Sequence, residues 1–185
     1  SFGGRQGDLP AITIQEDGAR LSVSGKVDRV DGWLHEGKLY LRVVDYKTGK
    51  KSFDLTDIRY GLGIQMLLYL FTLEREGQSF FGHPIVPCGV LYQPARDVIL
   101  RQDRNISDEK LKAALQSELR RTGLVLNDPQ VLQAMEHSAL ESPCYLPIGV
   151  KKDGSLSGSV ATAAQLGHLG RYVDKLLHQI TGEIA

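Results

Sequence analysis

The sequence predicts a mixed α/β fold. Two strand-like segments are followed by a strongly apolar helical segment and then by a third strand-like segment, and this order is typical of a mixed α/β core. The composition agrees, because 42% of the 185 residues are hydrophobic and 24% are charged. That apolar fraction offsets the entropy lost on ordering, so the composition excludes a disordered chain.

Strand periodicity marks the first two segments. From Ala19 apolar or small residues alternate with polar ones as far as Asp28, which predicts a half-buried strand. Residues 33–38, WLHEGK, are predicted to form a hairpin loop with Gly37 in a left-handed turn. A second strand follows from Leu39, with Leu41 and Val43 on the same face, and Thr48-Gly49 ends it.

The helix is predicted over residues 57–76, where IQMLLYLFTLER is almost wholly apolar. Asp54 or Thr56 can cap its start, and Gly77 fits its C-terminal end. Residues 85–93, IVPCGVLYQ, are rich in β-branched and aromatic side chains and predict the third strand.

The rest of the chain is predicted to be accessory structure. A helix is expected over residues 107–121, and Asp128-Pro129 is typical of the start of another. A short hairpin is expected around Asp153-Gly154, and an amphipathic helix follows it. We expect residues 1–18 to be loose and residues 19–185 to form one domain, with a core to about residue 95 and an accessory part over 96–185. Because Ser1 is not an initiator Met, we expect a fragment of a larger protein.

Charge and cysteine content narrow the function classes. The 22 basic and 22 acidic residues cancel, which excludes a globally basic nucleic-acid coat but leaves room for a local basic patch. No apolar run approaches the ~18–20 residues of a membrane span, so no membrane association is expected. Cys88 and Cys144 form no CxxC pair, which favours reduced thiols in a cytoplasmic protein over a disulfide scaffold or zinc site.

The candidate catalytic residues are Asp28, Asp45 and Lys47. Asp45 and Lys47 are two residues apart on the same strand, so both side chains continue the face of Leu41 and Val43. A charged side chain on such an apolar face is unfavourable unless a metal, a ligand or a partner compensates its charge. The alternative is an ordinary ion pair at the surface. In a simple tight hairpin Asp45 would lie far from Asp28, so their convergence is expected to need bent or splayed strands. If the carboxylates converge, two hard oxygen ligands suit Mg²⁺ or Mn²⁺, and Lys47 supplies a positive charge beside a phosphate.

Three motifs carry a family resemblance. The runs GKVDRVDGW, LRVVDYKTGK and YGLGIQMLLYL resemble the RecB-like branch of the PD-(D/E)xK nuclease superfamily and, within it, the AddB-type nuclease domains. Asp28 stands at the first acidic motif, Asp45-Tyr46-Lys47 at the (D/E)xK triplet, and Gln65 with Tyr69 at the QxxxY helix motif. Similarity continues through CGVLYQPARD, RTGLVLNDPQVLQAME and the KKDG hairpin.

The resemblance implies a restriction-endonuclease-like mixed sheet flanked by helices, with additional C-terminal helices. It implies that Asp28, Asp45 and the backbone carbonyl of Tyr46 bind Mg²⁺ or Mn²⁺ and that Lys47 is the catalytic lysine. Gln65 and Tyr69 would brace the site and contact DNA, although hydrogen bonding within the core is an alternative for this pair. Asp31 is expected to be structural. Lys47, Lys50, Lys51 and Arg59 could form a phosphate-attracting patch or, for the loop lysines, a solvated loop.

The implied function is metal-dependent exonuclease hydrolysis of DNA within a helicase–nuclease complex, in double-strand break repair and recombination, with an AddA-type subunit as partner. The alternative is a catalytically silent module that guides DNA or docks a subunit, against which the intact acidic and lysine residues argue. Two departures stand out. No His precedes Asp28 to match the family's upstream helix, and Cys88 and Cys144 do not match the ligands of the iron–sulfur cluster expected in full-length AddB proteins. We therefore expect no cluster in this chain.

Overall fold

The computed structural model describes residues 11–16, 18–49, 53–59, 64–95 and 107–184. In these ranges the strands are β1 Ile12–Glu16, β2 Ala19–Val23, β3 Arg29–His35, β4 Lys38–Lys47, β5 Ile85–Pro94, β6 Thr122–Leu126, β7 Ile148–Val150, β8 Leu156–Gly158 and β9 Val160–Ala161. The helices are α1 Leu55–Arg59, α2 Gln65–Phe81, α3 Asp108–Leu119, α4 Pro129–Met135 and α5 Ala163–Ile184. None of these helices is long and apolar enough to span a bilayer.

A mixed sheet of strands in the order β3-β4-β5-β6-β9 forms the centre of the described structure. β3 and β4 are antiparallel, and α2 carries the chain over to β5, which is parallel to β4. β6 is antiparallel to β5 and parallel to β9. The hairpins β1–β2 and β7–β8 form separate two-stranded sheets. The predicted mixed sheet with flanking helices is confirmed.

The two faces of the sheet are covered by different elements. Leu41 and Val43 of β4 point to the side of α2, where they join the larger apolar cluster with residues of α5. Val44 points to the opposite side and packs in a second cluster with Leu132 of α4 and Ile148 of β7. Because side chains alternate along a strand, Asp45 and Lys47 must continue the face of Val43.

The β3–β4 hairpin has a shorter turn than we predicted. Only Glu36 and Gly37 separate the strands, with φ angles of 47° and 74°, as a two-residue turn of type I′ requires. Residues 33–35, expected in the loop, belong to β3, and Trp33 pairs with Tyr40. The error is a misplaced turn: the expected strand over 19–28 instead ends as β2 at Val23, and the hairpin strand begins at Arg29.

Two further boundaries also differ from the predictions. Residues 1–18 were expected to be loose, yet Ile12–Glu16 form β1, with Ile12 and Ile14 buried in the apolar cluster that α5 shares. The single helix predicted over 57–76 is present as α1 and α2, and residues 60–63 lie outside the described ranges. α2 continues past Gly77 and ends at Gly82, whose φ of 74° gives a left-handed C-cap. Gly77 is buried, with Ile85 packed directly against it.

The predicted N-terminal caps at Asp54 and Asp128 are present, whereas the C-terminal end predicted at Gly77 is not. Asp54 Oδ1 accepts a hydrogen bond from the Thr56 backbone N–H at 2.8 Å, at the start of α1. Asp128 Oδ1 accepts from Gln130 N at 2.9 Å and from Val131 N at 3.2 Å, and Pro129 occupies the first helical turn. These bonds satisfy backbone donors that the helices leave unpaired.

Candidate active site

Asp28 and Asp45 meet at one corner of the sheet. Arg29 pairs with Val44, so Asp28 stands directly opposite the end of β4. Asp28 Oδ2 accepts a hydrogen bond from the Tyr46 backbone N–H at 3.1 Å. Our expectation that a tight hairpin would separate the two acids was wrong, because the turn lies at residues 36–37 and Asp28 precedes the strand that pairs with the end of β4. No splaying of the strands is needed.

Asp45 and Lys47 form an ion pair on the α2 side of the sheet. Lys47 Nζ lies 2.5 Å from Asp45 Oδ2, and the two side chains are 39% and 21% exposed. Asp45 Oδ2 is buried, and no hydrogen bond from another described residue reaches it. The pair is therefore partly buried, unlike the exposed ion pair that was the alternative. A partly buried carboxylate oxygen with only a lysine beside it remains available to a further cation.

The hydrogen bond and the charge of Asp45 raise the pKa of Lys47, and the charge of Asp28 acts in the same direction while burial opposes them. Lys47 therefore stays cationic at neutral pH. Its ammonium also lies 5.7 Å from the centre of the Tyr92 ring. Burial, and then the nearby Asp45, raise the pKa of Tyr92, so this phenol remains neutral beside the pair. Lys47 is thus a positive charge held at the corner.

The donor set at this corner fits a hard divalent cation. Within the described ranges no three His, Cys, Asp or Glu side chains cluster as a metal site. Two carboxylates and a backbone carbonyl are nevertheless the kind of protein contribution that Mg²⁺ accepts, since it usually keeps several waters and is completed by substrate phosphates. The buried Asp45 Oδ2, which has only the ammonium of Lys47 beside it among the described residues, is the observation that supports this fit.

Gln65 and Tyr69 lie in the first turns of α2 and contact each other. Gln65 Nε2 donates to Tyr69 Oη, and Tyr69 is 5% exposed whereas Gln65 is exposed. The Tyr69 ring packs on the backbone of Gly25, where a Cβ atom would lie 2.6 Å from Tyr69 Oη. Because Gly25 is three residues before Asp28, this contact positions the segment that delivers Asp28. Contact of this pair with DNA stays a prediction.

Asp31 joins two arginines on the side of the sheet opposite α2. Arg29 Nε lies 2.5 Å from Asp31 Oδ1, and Arg42 Nε donates to Asp31 Oδ2 at 2.8 Å. Burial acts to raise the pKa of Asp31, but the hydrogen bonds and charges of the two arginines together lower it. Asp31 is thus an ion-pair residue outside the corner, in line with its expected structural role.

An arginine cluster that was not predicted from the sequence surrounds this acid. Arg121 donates from Nε to Gln93 Oε1, and burial, together with the charges of Arg42 and Arg29, lowers its pKa. The signal was present, because Arg29, Asp31 and Arg42 alternate along two strands that pair. Of the basic patch that was predicted, Lys50 and Lys51 lie outside the described residues, as does the side chain of Arg59.

Both cysteines are free thiols in the described structure. Cys88 is buried in the larger apolar cluster, and burial raises the pKa of its thiol to about 12. Cys144 is partly buried beside Gln116, whose Nε2 lies 3.4 Å from its Sγ. A thiol with so high a pKa is a poor metal ligand or nucleophile at neutral pH.

Nearly the whole chain is similar to known proteins. The profile of the PD-(D/E)XK nuclease superfamily matches residues 2–184. Similar proteins include the B subunits of the ATP-dependent helicase/deoxyribonucleases of Acetivibrio thermocellus, 39% identical over 184 residues, and of Clostridium kluyveri, 36% identical over 185 residues. The corresponding protein of Clostridium acetobutylicum is 35% identical over 173 residues.

Each of these matches covers 92% or more of the chain but at most 16% of the relative, so the chain spans less than a fifth of their length. The predicted resemblance to AddB-type nuclease domains is confirmed at this level. So is the restriction-endonuclease-like fold, in which the mixed sheet presents an acidic pair and a lysine at one corner. With nearly its whole length matched by the family profile, the chain belongs to the PD-(D/E)XK nuclease superfamily.

Proposed function

We propose that this chain hydrolyses DNA phosphodiester bonds with a divalent cation, Mg²⁺ or Mn²⁺, held by Asp28, Asp45 and the backbone carbonyl of Tyr46. The observation that carries the proposal is the hydrogen bond from the Tyr46 N–H to Asp28, which brings the acid before β3 to the acid and lysine at the end of β4. Membership of a nuclease superfamily supports the reaction class.

The residues have separate roles in this proposal. When bound, the cation would polarise the scissile phosphate and lower the pKa of a water. Lys47, kept cationic by Asp45, stabilises negative charge that develops on the phosphate. Tyr69 holds the Gly25 segment so that Asp28 reaches Tyr46, and Gln65, exposed at the same helix end, is available to the DNA strand.

The wider role rests on the relatives. Proteins named as one subunit of an ATP-dependent helicase/deoxyribonuclease support a deoxyribonuclease that works beside a helicase. We infer an exonuclease of a cytoplasmic complex with an AddA-type helicase–nuclease subunit, acting in double-strand break repair and recombination. An iron–sulfur cluster in the full-length protein belongs to the same inference, with ligands outside this chain.

The test is Asp45→Asn in the full-length protein assembled with a helicase–nuclease partner subunit whose own nuclease site has been inactivated, so that cleavage reports on this chain alone. Cleavage of end-labelled DNA with Mg²⁺ should fall at least ~100-fold, because the substitution removes a charge from the cation site, while ATP-driven unwinding persists. Asp174→Asn is the matched control. Asp174 is also paired with a basic side chain, Arg75, at 2.7 Å, but on α5, and its variant should cleave normally.

Calorimetric titration with Mn²⁺ separates catalysis from a silent module. Binding that is present in the parent protein and lost in Asp28→Ala supports the cation site. Undiminished cleavage by Asp45→Asn would refute the assigned role. Absence of both Mn²⁺ binding by this protein and cleavage by the complex with the nuclease-inactive partner would establish the nuclease-like module that only guides DNA or docks a subunit.

A further inference from the structure

Tyr92 of β5 lies beside the acid and the lysine of the candidate active site. β5 runs parallel to β4, and Tyr92 is the partner of Asp45 in their register. Side chains that are paired in this way point to the same side of a sheet, so Tyr92 lies on the α2 side with Asp45 and Lys47. Tyr92 is 6% exposed and belongs to the larger apolar cluster. The roles proposed above do not use this residue.

The surroundings of Tyr92 fix the position of its ring. On one side β5 pairs with β4, and on the other side Tyr92 is the partner of Thr122 in β6, so the backbone is held between two strands. The ring of Phe53 packs beside it, with the ring centroids 6.4 Å apart and the planes tilted by 49°. A buried ring in close-packed surroundings has few other positions available. Tyr92 is therefore a rigid wall of the candidate active site.

The side chain of Lys47 is held by fewer contacts than that ring. Its backbone is anchored at the end of β4, because Lys47 O accepts a hydrogen bond from Ala95 N at 2.9 Å. Its side chain is 39% exposed, and a flexible four-carbon stem carries the ammonium. The ammonium lies 2.5 Å from Asp45 Oδ2 and 5.7 Å from the centre of the Tyr92 ring. One carboxylate and one aromatic ring thus flank the charge.

These two contacts respond differently to a bound cation. In the proposed function Asp45 also binds the divalent cation, and a carboxylate shared with that cation attracts the ammonium less, since the two positive charges repel each other. The ring of Tyr92 is uncharged, and its negative face attracts an ammonium within about 6 Å. The ring contact therefore holds Lys47 without competing for the cation.

We propose that Tyr92 is a positioning residue, whose ring keeps the ammonium of Lys47 in place beside Asp45 during cleavage. The inference rests on the proposed function. It adds a residue that acts through Lys47 and touches neither the DNA nor the cation. The face of the ring carries this role, so phenylalanine should replace Tyr92, whereas an aliphatic residue or a ring with an electron-poor face should not.

Labelling of Lys47 tests the ring contact without using cleavage. The full-length protein, freed of divalent cations, is treated briefly with acetic anhydride, and acetylation of Lys47 is quantified by mass spectrometry against Lys175, which is exposed on α5. Tyr92→Phe should leave the labelling rate of Lys47 unchanged. A trifluorinated phenylalanine at position 92 keeps the shape of the ring but removes its negative face, and the rate should rise about threefold. Equal rates for these two proteins would overturn the proposal.

Cleavage kinetics test whether the contact matters for catalysis. With Mg²⁺ and the nuclease-inactive partner subunit, Tyr92→Leu should lower kcat about tenfold with KM within about twofold of the parent value, because the ammonium acts on developing charge. Tyr92→Phe should keep kcat within about twofold, and the trifluorinated ring should lower it several-fold. If the leucine variant does not fold, the comparison of the two rings of equal shape decides.

Tyr40→Leu is the matched control. Tyr40 is a partly buried tyrosine of the neighbouring strand β4, but it lies on the opposite side of the sheet, and its variant should cleave normally. Equal kcat values for the phenylalanine and trifluorinated proteins would overturn this proposal alone. Absence of cleavage by the parent protein would overturn the proposed function and, with it, the role of Tyr92.

Discussion

Asp28 is placed by a hydrogen bond to the backbone of β4. Its carboxylate accepts from Tyr46 N, and the segment before it rests on Tyr69 through Gly25. The site therefore depends on a residue without a side chain. A Cβ at position 25 has no room, because the nearest atoms belong to a buried ring that the rest of α2 holds in place.

Gly25→Ala tests this dependence. The added methyl would lie 2.6 Å from Tyr69 Oη and 2.8 Å from Cε1, so the loop or the ring must move. We expect the free energy of unfolding to fall by roughly 1–3 kcal/mol, as overpacking does, and DNA cleavage to fall with it. Urea unfolding of the 185-residue chain measures the first effect.

Gly182→Ala is the control, since no atom lies within 4 Å of a Cβ there and alanine favours a helix by up to about 1 kcal/mol. Equal stabilities for the two variants would show that Tyr69 does not hold the Gly25 segment.

Asp31→Asn tests the ion-pair residue beyond the site. It leaves Arg42, 11% exposed, without its carboxylate, and we expect a loss of roughly 1–3 kcal/mol near neutral pH. Because Arg29 and Arg42 hold the pKa of Asp31 below its usual value, this stabilisation is complete above about pH 3.9 and disappears as pH falls through the lowered folded-state pKa.

Urea unfolding of parent and Asp31→Asn chains at pH 7 and near pH 3 should thus show a difference that narrows in acid. A difference that stays constant, or that grows in acid, would contradict the ion pairing.

Among the elements, the connection from α4 to β7 is organised by a single carboxylate. Glu136, at the end of α4, accepts backbone hydrogen bonds from Cys144 N at 2.6 Å, from Leu146 N at 3.0 Å and from Tyr145 N at 3.2 Å. These hydrogen bonds place Leu146 in the second apolar cluster, on the side of the sheet opposite α2. Glu136 therefore fixes the course of the chain between α4 and β7, although no local sequence pattern predicted this role.

Glu136→Ala should lower the free energy of unfolding by about 2–4 kcal/mol, because three backbone donors, two of them partly buried, lose a charged acceptor. Glu136→Gln keeps an oxygen in place and should lose less than half as much. Thermal unfolding of both variants provides the measurement, and equal losses would show that packing of the side chain matters more than its hydrogen bonds.

Across the whole molecule, α5 joins the β1–β2 hairpin and α2 to the central sheet mainly by apolar packing. Leu166, Val173 and Leu177 are buried, and Gly170 lies against the ring of Phe71. The charged contact in this region, Arg75 with Asp174, is about 40% exposed at both ends. Exposed pairs contribute little, so the apolar stripe should dominate the stability of this interface.

Leu177→Ala should therefore reduce the free energy of unfolding by about 2–5 kcal/mol, while Asp174→Asn should change it by less than about 1 kcal/mol. Urea unfolding at low and high salt compares them directly. A larger loss for the aspartate variant would mean that charge, not burial, docks α5.

Local sequence patterns were enough to predict some of the strands and helix ends. Alternation predicted β4, β-branched residues predicted β5, and Asp128-Pro129 predicted the start of α4, because each signal acts between residues close in sequence. The position of the hairpin turn was not predictable in this way, since alternation does not say where a strand reverses. The end of α2 was not predictable either. Glycine is typical of a helix end, but Gly77 lies inside α2, where it packs against Ile85.

The residue types of the candidate site, two acids and a lysine at strand ends, were readable from the amino acids alone, as was membership of the fold class. The convergence of these three side chains could not be predicted from the sequence. It depends on the register between β3 and β4, which the I′ turn and the packing of both sheet faces select over competing pairings. The arginine cluster arises from the same register, because side chains eleven to seventeen residues apart become neighbours only when the strands pair.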